Sequence, residues 1–171
     1  IVQLFRGNLT LALMRFQTVI EEYPETKWYI PSRFWEGQIF ARRQKYTQSQ
    51  KSLNLFLNSL KKSKHSQRYI DFQDFSRYTL AWLNIKQYKY NEVIDIINKF
   101  ENIIDSEKIR SQLLYLRYFA NVKLNKDEST LRVLKKLIKD FPNNFQHILL
   151  LGEFYYSQKN WNKLTSFISI H

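Results

Sequence analysis

The fold is decided by residues 12–46, which read ALMRFQTVIEEYPETKWYIPSRFWEGQIFARRQKY. Apolar residues recur at helical spacing up to Pro24, and a second helical pattern surrounds Gly37. The stretch predicts a helix, a stop and a second helix, with Gly37 where another helix comes close. Because a short helical pair cannot bury its apolar face alone, we expect the unit to recur along the chain.

The expected recurrence is visible as a fixed spacing that begins at a small residue. Gly37, Ala81 and Gly152 are each followed by an aromatic residue at offset nine and by apolar or small residues at offsets 12 and 16, and the first two also by phenylalanine at offset 19. These positions are Tyr46, Ser49, Leu53 and Phe56, then Tyr90, Val93, Ile97 and Phe100, then Trp161, Leu164 and Ile168. The spacing of Ala12, Phe16, Val19 and Pro24 returns at Thr130, Leu134, Leu137 and Pro142.

Three glycines and three prolines are too few for a fold of many short strands, so long helices are expected. Pro31 fits a helix only in its first turn. The pattern predicts helices at about 8–23, 27–44, 46–60, 69–86, 90–102, 107–124 and 128–141, with further helical pattern around Gly152 and Trp161.

Two motifs resemble the tetratricopeptide repeat (TPR), a unit of roughly 34 residues. They are Leu151-Gly152-x2-Tyr155 with Trp161, and Ala12-x3-Phe16-x2-Val19-x4-Pro24. The resemblance implies an all-α, right-handed TPR-like solenoid of about nine or ten antiparallel helices. It also implies a single domain over residues 1–171, of about five units with the first and last incomplete, and a protein partner.

The run at 16–26, followed by Phe34-Trp35-x-Gly37, is similar to repeats of bacterial envelope proteins of the outer-membrane-protein assembly lipoprotein and Tol-Pal coordinator types. This likeness implies a component of a cell-envelope complex on the periplasmic side. The chain departs from the family at Ser49, Val93, Thr130 and Leu164, where the family has alanine. The interval from Gly37 to Ala81 is 44 residues, which places extra residues around 61–70.

The net charge of +12 is compatible with nucleic acid, anionic lipid or an acidic protein partner. The densest basic cluster comprises Lys61, Lys62, Lys64, His65 and Arg68. It is interpreted as a solvated connector, with an anion-binding loop as the alternative. No run approaches the roughly 20 apolar residues that span a bilayer. Residues Ile1–Arg6 resemble the end of a helix already under way, so membrane contact is expected only through a segment missing from this fragment.

Nothing in the sequence predicts an enzyme, a cofactor, a metal site or a small-molecule substrate. The chain has no cysteine, and its histidines, His65, His147 and His171, lack the spacing of metal ligands. Asp71 and Asp74 are interpreted as the polar first turn of a helix. There is no glycine-rich phosphate loop.

Three trios of residues at i, i+4 and i+8 lie along the first helix of consecutive pairs. They are Phe34, Gln38 and Arg42; Tyr78, Trp82 and Lys86; and Tyr115, Phe119 and Lys123. One interpretation is packing between helices. The other is a concave groove that holds the apolar side of a peptide or helix, with the cations facing acidic groups along a rim. The fifth unit departs from the pattern, with Leu149, Glu153 and Ser157 at these positions.

Two functions compete on this basis. The first is a non-enzymatic protein-interaction scaffold that holds its partner in the aromatic groove. The alternative is a nucleic-acid-binding helical repeat protein, which the charge and the aromatic residues that could stack on bases would favour.

Overall fold

A computed structural model of the chain describes residues 7–61 and 66–168, which contain nine α-helices and no strand. The helices are α1 (Leu9–Glu22), α2 (Tyr29–Arg42), α3 (Tyr46–Lys61), α4 (Ile70–Lys86), α5 (Tyr90–Phe100), α6 (Glu107–Lys123), α7 (Asp127–Asp140), α8 (Phe145–Ser157) and α9 (Trp161–Ile168). Short 3₁₀ turns occupy Ser66–Tyr69 and Glu101–Ile103. The predicted all-α solenoid of about nine or ten helices is confirmed.

Contacts between helices follow the order of the chain. Each helix packs on the next one, and α2 with α4 and α4 with α6 also meet across the pairs. The helix ends lie within about two residues of the predicted bounds, and Pro31 lies in the first turn of α2 as expected. One prediction needs correction, because the helix expected at 90–102 ends at Phe100 and continues as a 3₁₀ turn.

The same turn ends the first helix of every pair. Its residues with positive φ are Gln44 (59°), Tyr88 (59°), Asn125 (54°) and Lys159 (52°). The residue after each donates its backbone N–H to the carbonyl five positions earlier, for example Lys45 to Phe40 at 2.9 Å and Lys126 to Asn121 at 2.9 Å. Four equivalent turns show that the chain is built from repeated helical pairs.

Gly37 lies at a tight crossing of α2 and α3, as predicted. A Cβ atom there would come within 2.6 Å of Cδ2 and 2.7 Å of Cγ of Leu53, which is fully buried. Ser49, which replaces the family's alanine, donates its hydroxyl hydrogen bond to the carbonyl of Gly37 at 2.8 Å. The serine therefore fits the close approach and satisfies a backbone acceptor. Gly152 is partly exposed, and its predicted crossing stays a prediction.

Asp74 corrects one sequence interpretation, because it is fully buried and does not belong to a solvated first turn. Its carboxylate accepts hydrogen bonds from the backbone N–H groups of Asp105 (3.0 Å) and Ser106 (2.9 Å). Arg77 completes the pairing at 3.0 Å. Asp71 is exposed in the first turn of α4, as expected. Asp74 thus fixes the start of α6 on α4.

Several predictions concern residues outside the described ranges: the helix end at Ile1–Arg6, the connector residues Lys62, Lys64 and His65, and His171. Of the basic connector, Lys61 is exposed at the end of α3 and Arg68 is exposed in the 3₁₀ turn. Within residues 7–61 and 66–168, no helix is both long and apolar enough to cross a bilayer.

Candidate functional site

A cavity of about 650 Å³ opens between α4, α6 and α8, which are the first helices of three consecutive pairs. Tyr78 and Trp82 of α4, Tyr115 of α6, and Leu149 and Glu153 of α8 contribute to its lining. A smaller cavity of about 210 Å³ lies between α2 and α4 and shares Tyr78 and Trp82 with the first. The two cavities together are called the groove below.

Apolar side chains in the groove remain open to solvent. Tyr115 is 46% exposed, Leu149 is 50% exposed and Phe75, which lines the smaller cavity, is 42% exposed. Tyr78 is half-buried, and this burial raises the pKa of its hydroxyl, which therefore stays a neutral hydrogen-bonding group at neutral pH. The groove thus combines exposed apolar surface with the polar hydroxyl of Tyr78, a combination that is typical of recognition surfaces.

Trp82 belongs to both the core and the groove. Its ring meets the ring of Tyr46 edge-on at 6.4 Å and packs against the buried residues on both sides of α4. The ammonium of Lys86 lies 5.3 Å from the centre of the same ring. Trp82 is partly exposed, but removing it would also damage the core.

The first predicted trio is only partly at the surface. Phe34 is 3% exposed and stacks on Phe72 with the ring centres 4.3 Å apart, so its predicted role in the groove is corrected to a core role. Gln38 is buried at the base of the smaller cavity, where it exchanges hydrogen bonds with Thr79. Arg42 is exposed and lines the same cavity.

The other two trios divide between the groove and its surroundings. Tyr78, Trp82 and Tyr115 lie together in the larger cavity, whereas Phe119 packs edge-on against Tyr90 at 6.3 Å and does not line it. Lys86 and Lys123 are exposed outside the lining. Lys123 lies 5.4 Å from the ring centre of Phe119, which repeats the arrangement of Lys86 over Trp82.

Sequence reasoning missed several residues of the groove. Leu149 and Glu153 line the larger cavity although their unit was set aside because it lacks the aromatic pattern. Leu149 and Glu153 occupy the i and i+4 positions of the trios, and this spacing could have identified them. Phe75 lies one helical turn before Tyr78, and its ring is 6.0 Å from that of Tyr78. Helical geometry from Tyr78 could have identified it.

His147 also lines the larger cavity, although it is only 4% exposed. Its Nε2 lies 3.2 Å from the amide nitrogen of Asn144. Because an amide nitrogen only donates, Nε2 accepts this bond in the neutral ring. Burial lowers the pKa of His147, an effect that the backbone carbonyls of Leu137 and Phe141 partly oppose. The ring is therefore a neutral structural group near pH 7.

The groove has no arrangement of side chains for metal binding. Across the part of the chain that the structure describes, no group of three or more His, Cys, Asp or Glu residues is placed to hold a metal ion. The groove is a concave surface that combines apolar side chains with a few polar groups.

No protein-family model and no curated protein matches this sequence. Several solved structures are similar to the chain. A crystal structure of MamA superposes with a TM-score of 0.75 at 12% identity, covering 98% of this chain and 88% of MamA. MamA 41-end from Desulfovibrio magneticus RS-1 gives a TM-score of 0.71 at 13% identity, with coverages of 98% and 85%. MamA is a TPR-type protein.

The fold of this chain is TPR-like. A tetratricopeptide repeat protein from Parabacteroides merdae ATCC 43184 is less similar, with a TM-score of 0.43 at 13% identity. The match covers 98% of this chain and 73% of that protein. Identities this low establish the fold alone. The predicted likeness to the outer-membrane-protein assembly lipoprotein and the Tol-Pal coordinator therefore stays a prediction.

Proposed function

We propose that this protein is a non-enzymatic scaffold that binds another protein and holds a peptide or helix of that partner in the groove. The observation that supports this proposal most directly is the exposure of Tyr115, Leu149 and Phe75 in two neighbouring cavities that share Tyr78 and Trp82. Partly exposed aromatic residues in a concave surface are typical binding hot spots. The TPR-like fold provides the extended surface on which such a groove can form.

The charges around the groove suggest the polarity of the bound segment. Arg42 lines the end formed by α2, and Glu153 lines the end formed by α8. A partner segment with an acidic residue near Arg42, an apolar residue over Tyr115 and a basic residue near Glu153 would complement these groups. Lys86 and Lys123 would add attraction for acidic groups along the rim.

Nucleic acid is the weaker alternative for the groove. Among the described residues that line the larger cavity there is a carboxylate, Glu153, and no lysine or arginine. A nucleic-acid strand would place its phosphates near that carboxylate without a cation to neutralise them. The net charge of the chain is therefore not concentrated in the lining of the larger cavity.

The scaffold can be tested with peptides selected from a random library on the immobilised protein. Tyr115→Ala should weaken the selected peptides by about 2 kcal/mol, or roughly thirtyfold, because it removes an aromatic contact without opening the core. Tyr88→Ala is the matched control, since Tyr88 is also an exposed tyrosine but lies outside both cavities. Fluorescence anisotropy measures the affinities, and equal losses in the two variants would contradict the proposal. Trp82→Ala is unsuitable, because it would remove core packing as well as a groove contact and so change stability and binding together.

We further propose a place in a bacterial cell-envelope complex on the periplasmic side. The proposal rests on the similarity of the 16–26 run to repeats of envelope proteins. Fractionation of the native cells with an antibody against this chain would test it, and recovery in the cytoplasmic fraction alone would contradict it.

A further inference from the structure

A separate cavity, of about 270 Å³, lies between α5, α6 and α7 and shares no lining residue with the groove. Arg117 of α6, Lys126 before α7, and Arg132 and Lys136 of α7 contribute to its wall. Among the described residues that line it there is no aspartate or glutamate. Its volume lies near the lower limit of small-ligand sites, so the cavity suits a small ion or a single charged group.

Asn121 provides a second, independent observation at the same place. The side chain is 2% exposed and lines the cavity, and its amide nitrogen has no hydrogen-bond acceptor in the protein. A buried donor without an acceptor destabilises the folded state, so few occur in native structures. The amide nitrogen is itself enclosed, so an anion in the cavity would provide the missing acceptor once the side chain turned toward it.

The preceding pair contains a natural comparison. Asn84 and Lys89 occupy the places of Asn121 and Lys126, since each lysine donates its backbone N–H to its asparagine carbonyl in the repeated turn. There the amide nitrogen of Asn84 donates to the carbonyl of Leu80 at 2.8 Å. The corresponding cavity, of about 390 Å³, is lined by a carboxylate, Glu92, as well as by lysines. The cationic wall and the unpaired amide are thus features of the later pair and do not follow from the repeat itself.

The cations of the wall have partners just outside it. Glu101 accepts from Arg117 at 2.9 Å and from Lys136. Arg117 also donates to Asn98 at 2.7 Å, and Lys126 donates to Asn91 at 3.3 Å.

Arg132 differs, because its only described ion pair is a long, exposed one with Glu128 at 3.7 Å, and such a pair is worth little. Four cations against the carboxylates of Glu101 and Glu128 leave an excess of two positive charges around the cavity.

We propose that this cavity binds a phosphate dianion, either inorganic phosphate or the phosphate group of a small monoester. Its charge of about −1.5 to −2 matches the excess of positive charge, and its oxygen acceptors suit the two guanidinium groups. A carboxylate carries only half of this charge and fewer acceptors, so it complements the site less well. The inference is independent of the proposed role of the groove.

Calorimetric titration of the protein at constant ionic strength tests the site, with inorganic phosphate, glycerol 2-phosphate and acetate as probes. Saturable binding of inorganic phosphate with a Kd of about 1 mM or tighter is expected, with acetate much weaker. If glycerol 2-phosphate binds as well, the site accepts a monoester; if only inorganic phosphate binds, the site is restricted to the free ion. Phosphate binding no stronger than that of acetate would overturn the proposal.

Three variants locate the bound ion. Arg132→Gln should weaken phosphate at least about fivefold, because it removes a charged donor from an exposed position that folding does not need. Glu101→Gln should tighten it, because Arg117 and Lys136 lose their competing carboxylate. Lys99→Gln, in the cavity of the preceding pair, should have no effect. If Arg132→Gln leaves the affinity for phosphate unchanged, or if Lys99→Gln lowers it as much as Arg132→Gln does, the attraction is nonspecific and the proposed site is wrong.

Discussion

Gly37 sets the distance between α2 and α3, because the side chain of Leu53 occupies the space that a Cβ atom would need. Gly37→Ala should gain about 1 kcal/mol from helix propensity but lose about 1–3 kcal/mol from overpacking. We therefore expect a net loss in the free energy of unfolding, measured by urea denaturation.

A double-mutant cycle with Leu53→Ala isolates the contact on which this prediction depends. Removing the leucine side chain opens the space, so Gly37→Ala should become neutral or stabilising in that background. An equal loss in both backgrounds would show that the crossing does not limit the size of residue 37.

His147 should make the folded protein less stable as the pH falls. Burial lowers its pKa in the folded state below the ordinary value of 6.5, so between these two pKa values the unfolded chain binds more protons than the folded chain. The stabilisation is therefore present above about pH 6.5 and is lost as the pH falls through the folded pKa. A proton on Nε2 would also remove the hydrogen bond from Asn144.

The measurement is denaturant unfolding of the wild type and His147→Gln at several values between about pH 5 and 8. The glutamine variant should lose less stability on acidification, since it cannot gain a proton at this position. Parallel curves for the two proteins would contradict the prediction.

The aromatic trios show how far residue patterns can predict a site. Phe34, Tyr78 and Tyr115 hold the same place in successive pairs, yet they are buried, half-buried and exposed in that order. Phe34 is covered by Phe72, which enters α4 just after the extra residues of the connection. The spacing of the sequence correctly placed the three residues in register, but it contained no information about which neighbours would cover each ring.

The repeated turns carry backbone strain, because residues other than glycine and asparagine disfavour positive φ by about 1–2 kcal/mol. Gln44→Gly should therefore stabilise the protein by about 0.5–1 kcal/mol after the entropy cost of glycine is subtracted. Asn125→Gly is the matched control and should change stability less, since asparagine tolerates this conformation. Thermal unfolding of both variants measures the difference. A loss of stability in Gln44→Gly would show that the turn is not strained.

The helices were more predictable than the turns between them. Apolar spacing together with Pro24, Pro31 and Pro142 defines the helical segments, because proline restricts where a helix can begin and end. The sequence does not predict the turns at Gln44 and Tyr88, because glutamine and tyrosine do not favour positive φ. Asp74 was misinterpreted for a related reason: its partners, the N–H groups before α6, are 31 and 32 residues away in sequence.

The net charge of +12 should give the whole protein weak, salt-sensitive attraction for nucleic acid. We expect random single strands to be retained at low salt and released at physiological salt, because no lysine or arginine lines the larger cavity of the groove. Filter binding over a range of salt concentrations measures this. A submicromolar complex that persists at physiological salt would contradict the scaffold and favour the nucleic-acid alternative.

The order of helix contacts has a mechanical consequence. The larger cavity is built from α4, α6 and α8, and these helices are held mainly through neighbours in sequence. Small rotations at each interface would add up along the chain, so we expect the distance from Tyr78 to Leu149 to change when the helical stack bends. A bound segment that bridges those two side chains would resist this bending. We therefore expect its affinity to change when tension or compression is applied to the ends of the helical stack.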